Sequence, residues 1–160
     1  MWKRKIGLYE ISVVLFFIIV PIIGTTIETI SSMQEANISQ TLLKWFVFSG
    51  VGLRLFSAGL NQAISPSFTA KEIFNITDEK SFVVVREHGI GNICIGTVGI
   101  LSLFVVELVL ASAITGVLFF GIAGFMHLFR KRDSKSENFA MVSDFFIFAA
   151  LLTLGIIRFL

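Results

Sequence analysis

Residues 89–129 read GIGNICIGTVGILSLFVVELVLASAITGVLFFGIAGFMHLF, an apolar run whose one carboxylate, Glu107, lies near its middle. At about 1.5 Å of rise per residue, one helix of this length overshoots a hydrocarbon core about 30 Å thick. The run must therefore reverse, and Glu107, followed by the small residues Ala111-Ser112-Ala113, marks the place. A chain that reverses inside so apolar a stretch belongs in a bilayer. There it must be helical, because lipid offers no water to an unpaired backbone. Composition agrees: 55% of residues are hydrophobic and 15% charged, where soluble domains have about 25% charged.

The hydropathy pattern predicts an all-α integral membrane bundle forming a single domain over residues 1–160. It has five transmembrane spans, at about residues 6–30, 42–65, 89–106, 110–129 and 139–160. Spans two to five are expected to form the core as four antiparallel helices. The N-terminal Lys3-Arg4-Lys5 and the apolar stretch after it imitate a secretory signal. They lack a small-x-small cleavage site, and the run continues past Pro21 to Ile30, so a retained first span is expected.

Charge orients the bundle. With the N-terminus inside, ten basic residues face the cytoplasm (Lys3, Arg4, Lys5, Lys71, Lys80, Arg86, Arg130, Lys131, Arg132 and Lys135) and only Lys44 and Arg158 face outward. That bias predicts N-in, C-out, and it requires the reversal at Glu107. A multi-pass protein of the cell (inner) membrane is expected. The long connection 66–85 is then cytoplasmic. Its Thr69-x-x-Glu72 has the form of a capping box, and Ile73, Phe74 and Ile76 suit a short helix on the membrane surface. A second capping box, Ser134-x-x-Glu137, opens span five.

Recognised chemistry is missing from the pattern. Gly89, Gly91 and Gly96 do not have dinucleotide-binding spacing, and no P-loop, paired cysteines or H-E-x-x-H occurs. Cys94 stands alone, and a net charge of +2 is too small to suggest nucleic acid. What recurs is polar and small residues at helical spacing. Gly50, Arg54, Ser57 and Asn61 share a face of span two. His88, Asn92, Gly96 and Gly99 share one of span three, and Gly116, Phe120, Gly124 and His127 one of span four. Glu137, Met141 and Asp144 follow on span five, with Tyr9 and Glu10 at the same level of span one.

These stripes predict a polar network or ligand pocket facing the cytoplasm, lined by Glu10, Arg54, Asn61, Glu87, His88, Asn92, His127 and Asp144. Gly96, Gly99, Gly116 and Gly124 are the expected helix-packing positions. Arg54 is the most telling, since a charge inside a span must face the bundle interior and find a partner. Glu10, Glu87 and Asp144 are candidates. Glu137 reads as a helix cap.

The order of motifs resembles a group of uncharacterised, mostly bacterial multi-pass membrane proteins defined by a domain of unknown function. From Gly50 to Phe148 the matching residues are Gly59-Leu60-Asn61-Gln62 with Pro66, then Arg86-Glu87-x-Gly89-x-x-Asn92 with Gly96, Gly99 and Ser102. Gly121-x-x-Gly124-x-x-His127 and Glu137-Asn138-x-x-Met141-x-Ser143-Asp144 complete them. A looser similarity is to DoxX-like helical bundles, some linked to quinone or thiol redox systems. It implies architecture and supplies no catalytic residue.

The function expected is that of a small membrane protein without catalytic machinery. It would act as an accessory or oligomeric subunit, alone or with a membrane partner, and its pocket would take a lipid or small amphipathic ligand. No cofactor is predicted. The alternatives are a quinone-associated redox subunit, with His88, His127 or Asp144 handling protons, and an oligomeric transporter or channel lined by Arg54 and Asp144.

Overall fold

The structure is a computed structural model and describes residues 7–32, 37–129 and 135–159. Lys3, Arg4, Lys5, Arg130, Lys131, Arg132 and the capping-box residue Ser134 lie outside the described residues.

Five long helices and one short one account for most of the chain, with no strand among the described residues. They are α1 (Leu8–Ser31) and α2 (Ile38–Ile64), the short α3 (Thr69–Ile73), α4 (Phe82–Leu101), α5 (Glu107–Leu128) and α6 (Lys135–Ile157). Helices α1, α2, α5 and α6 are long and apolar enough to cross a membrane. Helix α4, with 20 residues, has the length, but Arg86, Glu87, His88 and Asn92 dilute its apolar character.

The reversal demanded by the length of the run is present. Helix α4 ends at Leu101, residues 102–106 turn, and α5 begins at Glu107. In the turn the Leu103 N–H donates to the Ile100 carbonyl (3.2 Å) and the Val105 N–H to Leu101 (3.0 Å). The start of α4 differs from the expectation: it lies at Phe82, not at residue 89. Asp78 explains the difference. Its carboxylate accepts from the Lys80 N–H and from the Ser81 hydroxyl (each 3.1 Å), capping a tight turn at Glu79–Ser81 that runs straight into α4. Helices α2, α5 and α6 likewise begin a few residues earlier than expected, at Ile38, Glu107 and Lys135.

The long helices pair in antiparallel fashion. Along α2 and α4 the contacts run in opposite order, Gly52 against Gly99 and Ile100, Phe56 against Gly96, and Gly59 against Gly89 and Ile93. Along α5 and α6, Gly116 meets Leu151, Gly121 meets Phe148 and Gly124 meets Phe145. Helix α1 takes part in the core: Val13 and Phe17 are buried, and Phe17 packs edge-on against Phe120 of α5 (5.7 Å between ring centres). Outward positions such as Ile22, Ile122 and Val142 are exposed and apolar, a surface suited to acyl chains.

Two features set the ends of the bundle. At one, the Glu28 carboxylate pairs with Lys44 and accepts from the Trp45 indole N–H (2.8 Å), fastening α1 to α2, while Gly24 leaves room for the Trp45 ring. At the other, α3 tucks against α4 and α6 with Thr69, Ala70 and Ile73 buried. Asn75, in a left-handed conformation (φ 54°), ends α3 as the Ile76 N–H returns to the Ala70 carbonyl (2.8 Å). The expected surface helix over Ile73, Phe74 and Ile76 is thus a short plug, drawn inward by Ile73.

Candidate functional site: a polar cavity at one end of the bundle

The end that carries α3 also holds the start of α1, the end of α2, the start of α4, the end of α5 and the start of α6. The five long helices and α3 enclose a cavity of about 690 Å³, within the range of small-molecule sites. Its deeper wall is apolar and includes Phe16, Leu55, Phe119 and Phe120.

Seven of the eight residues expected at a polar site line this cavity: Glu10, Arg54, Asn61, His88, Asn92, His127 and Asp144. Glu87 does not. It is exposed on α4, because the buried face of that helix runs through Val85, Gly89, Asn92, Gly96 and Gly99, and position 87 points away from it. Glu87 is therefore not a partner for Arg54.

Each polar wall has its own support. The Glu10 carboxylate accepts from the Gly7 N–H (3.0 Å), so it also closes the first turn of α1. Arg54 follows a stretch of α2, Val47–Leu53, with wider π-type hydrogen bonding. Such segments shift the face that later residues present and are frequent at functional sites. The guanidinium carbon lies 5.3 Å from the centre of the Tyr9 ring, a cation–π contact. Tyr9 in turn packs against Phe68 (5.8 Å) and Phe139 (6.0 Å).

Across the cavity, buried Asn92 donates its amide N–H to the Gln62 side-chain oxygen (2.8 Å). His88 stacks on Phe119 (6.1 Å, 16°) and meets Phe74 edge-on. His127 sits between two acids. Its Nδ1 is 3.5 Å from Glu137 Oε1 and its Nε2 3.9 Å from Asp144 Oδ2. Glu137, expected as a cap, is 3% exposed and stands behind His127 rather than on the cavity wall.

Gln62 and Glu137 are two polar residues near the site that the sequence pattern does not assign to it, and Ser12 and Thr69 also line the cavity. Gln62 continues the buried line Leu55–Gly59–Gln62, a 4–3 spacing that distinguishes it from its exposed neighbour Asn61. Glu137 carried no such signal, because an acid in a first helical turn is common without burial.

Among the described residues no group of three His, Cys, Asp or Glu side chains can hold a metal ion. The geometry around His127 explains this locally, since its two acids approach opposite ring nitrogens and cannot converge on one ion. What the arrangement offers is one fixed cation, Arg54, two carboxylates, Glu10 and Asp144, and two imidazoles around an aromatic hollow.

The four expected packing glycines all lie at helix contacts. A side-chain carbon at Gly96 would overlap the Phe56 backbone, and one at Gly99 would come within 2.6 Å of the Gly52 nitrogen. At Gly116 it would meet Val51 and Leu151 side chains, and at Gly124 only the Phe145 ring, at 3.3 Å. Gly52, Gly59 and Gly89, which are not among the expected packing positions, approach backbone as closely.

No curated protein and no solved structure matches this chain. The sequence profile of a family of unknown function, DUF6790, matches residues 11–158, so it takes in most of α1 as well as every motif from Gly59 to Asp144. The chain belongs to the DUF6790 family.

Proposed function

We propose that this protein is a five-span inner-membrane protein, N-in and C-out, whose cytoplasmic cavity binds a small amphipathic molecule. It acts without catalysis, as an accessory or self-associating subunit. The fifth span is α4. Its support is packing: α4 lies antiparallel along α2 with glycines against its backbone, so it shares whatever depth α2 takes. The orientation draws on the sequence. The cavity end holds the start of α1, the end of α5 and the start of α6, the sequence next to these is basic (Lys3-Arg4-Lys5 and 130–132), and positive loops remain cytoplasmic.

The single observation that carries the binding reading is the chemistry of the cavity wall, polar groups from α1, α2, α4, α5 and α6 beside an apolar hollow of about 690 Å³. A structural network alone would close on itself and leave no space. Native mass spectrometry of the full chain in mild detergent tests it. One bound small molecule per chain is expected, lost in Ala123→Phe, which fills the cavity. A chain that carries nothing, or that binds equally well with the cavity filled, overturns the reading.

A quinone-associated subunit is the second reading, favoured by the row Glu137–His127–Asp144 that reaches the cavity from behind. Quinone-dependent oxidation in membranes should then fall on replacing His127 with Ala. Unchanged turnover removes this reading.

A further inference from the structure

A guanidinium and a carboxyl group, Arg54 and Asp144, stand on the wall of the cavity without bonding to each other. Among the described residues no carboxylate lies within salt-bridge distance of the Arg54 guanidinium, and it is held by Tyr9, through the ring face and a side-chain hydrogen bond to the hydroxyl. Asp144 lies 3.9 Å from His127 Nε2, with its side chain 16% exposed. The charge of Arg54 reaches Asp144, but no direct pair forms.

A guanidinium has five N–H donors in a fork that fits an oxyanion, and contact with the single side chain of Tyr9 leaves most of those donors open to a ligand. A carboxylate so enclosed favours a cationic donor. A purely anionic head would satisfy Arg54 and be repelled by Asp144 and Glu10. A purely cationic head would do the reverse. Only a head that carries both signs a few bonds apart meets both walls. From this charge layout, and resting on the proposed binding role of the cavity, we infer that the ligand is zwitterionic, with an oxyanion against Arg54 and a primary ammonium against Asp144. Tyr9 and the Glu10 carboxylate flank the head, His88 and His127 complete the titratable wall, and Phe16, Phe119 and Phe120 take the start of an apolar chain. Two sources share this chemistry: an aminophospholipid head and a free amino-phosphate. The apolar wall favours the lipid.

The test compares binding of phosphatidylethanolamine and phosphatidic acid with matched chains to the full protein in detergent, with free phosphoethanolamine as competitor. Wild type should prefer phosphatidylethanolamine by about tenfold, the size of one charge-assisted hydrogen bond. Asp144→Asn should erase that preference, with phosphatidic acid bound as well or better. Arg54→Gln should weaken both lipids by about tenfold. Lys44→Ala, at the opposite end, should change neither. Equal affinity in wild type, or a preference for phosphatidic acid, overturns the inference even if the variants fail to fold. Binding of neither lipid nor competitor removes the ligand pocket itself, whereas binding without head-group preference removes only the zwitterion. Competition by free phosphoethanolamine on a par with the lipid retains the charge pairing and assigns a soluble source.

Discussion

The two closest helix pairs, α2 with α4 and α5 with α6, solve the same problem in different ways. Along α2 and α4, backbone touches backbone: Gly52, Gly59, Gly89, Gly96 and Gly99 leave space that no side chain can occupy. Their one side-chain hydrogen bond between helices is amide to amide, Asn92 to Gln62. Along α5 and α6, glycines face rings instead, Gly121 against Phe148 and Gly124 against Phe145, and the polar contacts include an imidazole between two acids. The first interface is fixed by atoms that cannot move. The second rests on side chains that can turn aside, so it tolerates change in size but not in charge.

The sharpest way to break this contrast is Gly96→Val, which forces a branched side chain into the Phe56 backbone. A loss of about 3 kcal/mol or more is expected, seen as a large drop in thermal midpoint in detergent. His127→Leu attacks the other pair through charge. It leaves Glu137 and Asp144 without the imidazole between them, and a loss of about 2 kcal/mol is expected, read by chemical unfolding. Asn92→Leu orphans the Gln62 amide at a cost of about 1 kcal/mol. A double-mutant cycle with Gln62→Leu should recover part of that loss. Gly124→Ala should cost no more than about 0.5 kcal/mol, since the Phe145 ring needs to move only a few tenths of an ångström. If Gly124→Ala proves as damaging as Gly96→Val in the same melting assay, the two interfaces are not different in kind.

What could be read beforehand follows the same division. The reversal between α4 and α5 was forced by length against bilayer thickness, and Glu107 marked it. On α4 the sequence stripe His88, Asn92, Gly96 and Gly99 shares its last three members with the buried line Val85, Gly89, Asn92, Gly96 and Gly99, because small and polar residues at 3–4 spacing mark that face. Glu87 adjoins that line in sequence but lies exposed on another face of the helix, a difference that sequence proximity hides. In sequence Arg86 and Glu87 look like the start of α4, while the real boundary is set by the Asp78 cap in the preceding turn. The burial of Glu137 and its approach to His127 depend on how α5 and α6 cross, which no single helix encodes. The role of α1 was hidden too. Val13 and Phe17 look like any lipid-facing residues until Phe120 is brought against them.

The modest apolarity of α4 has a consequence for how such a chain is made. Emerging from the ribosome, α2 settles in the bilayer on its own merits, whereas α4, burdened by Arg86, Glu87 and Asn92, partitions poorly by itself. A waiting neighbour that matches its glycines and offers Gln62 to Asn92 changes that balance, as does α5 following immediately behind a five-residue turn, residues 102–106. In the five-span arrangement proposed above, insertion of α4 is a cooperative event, and a mutation that loosens its fit to α2 would appear first as a topology error during biogenesis, before any defect in the finished protein.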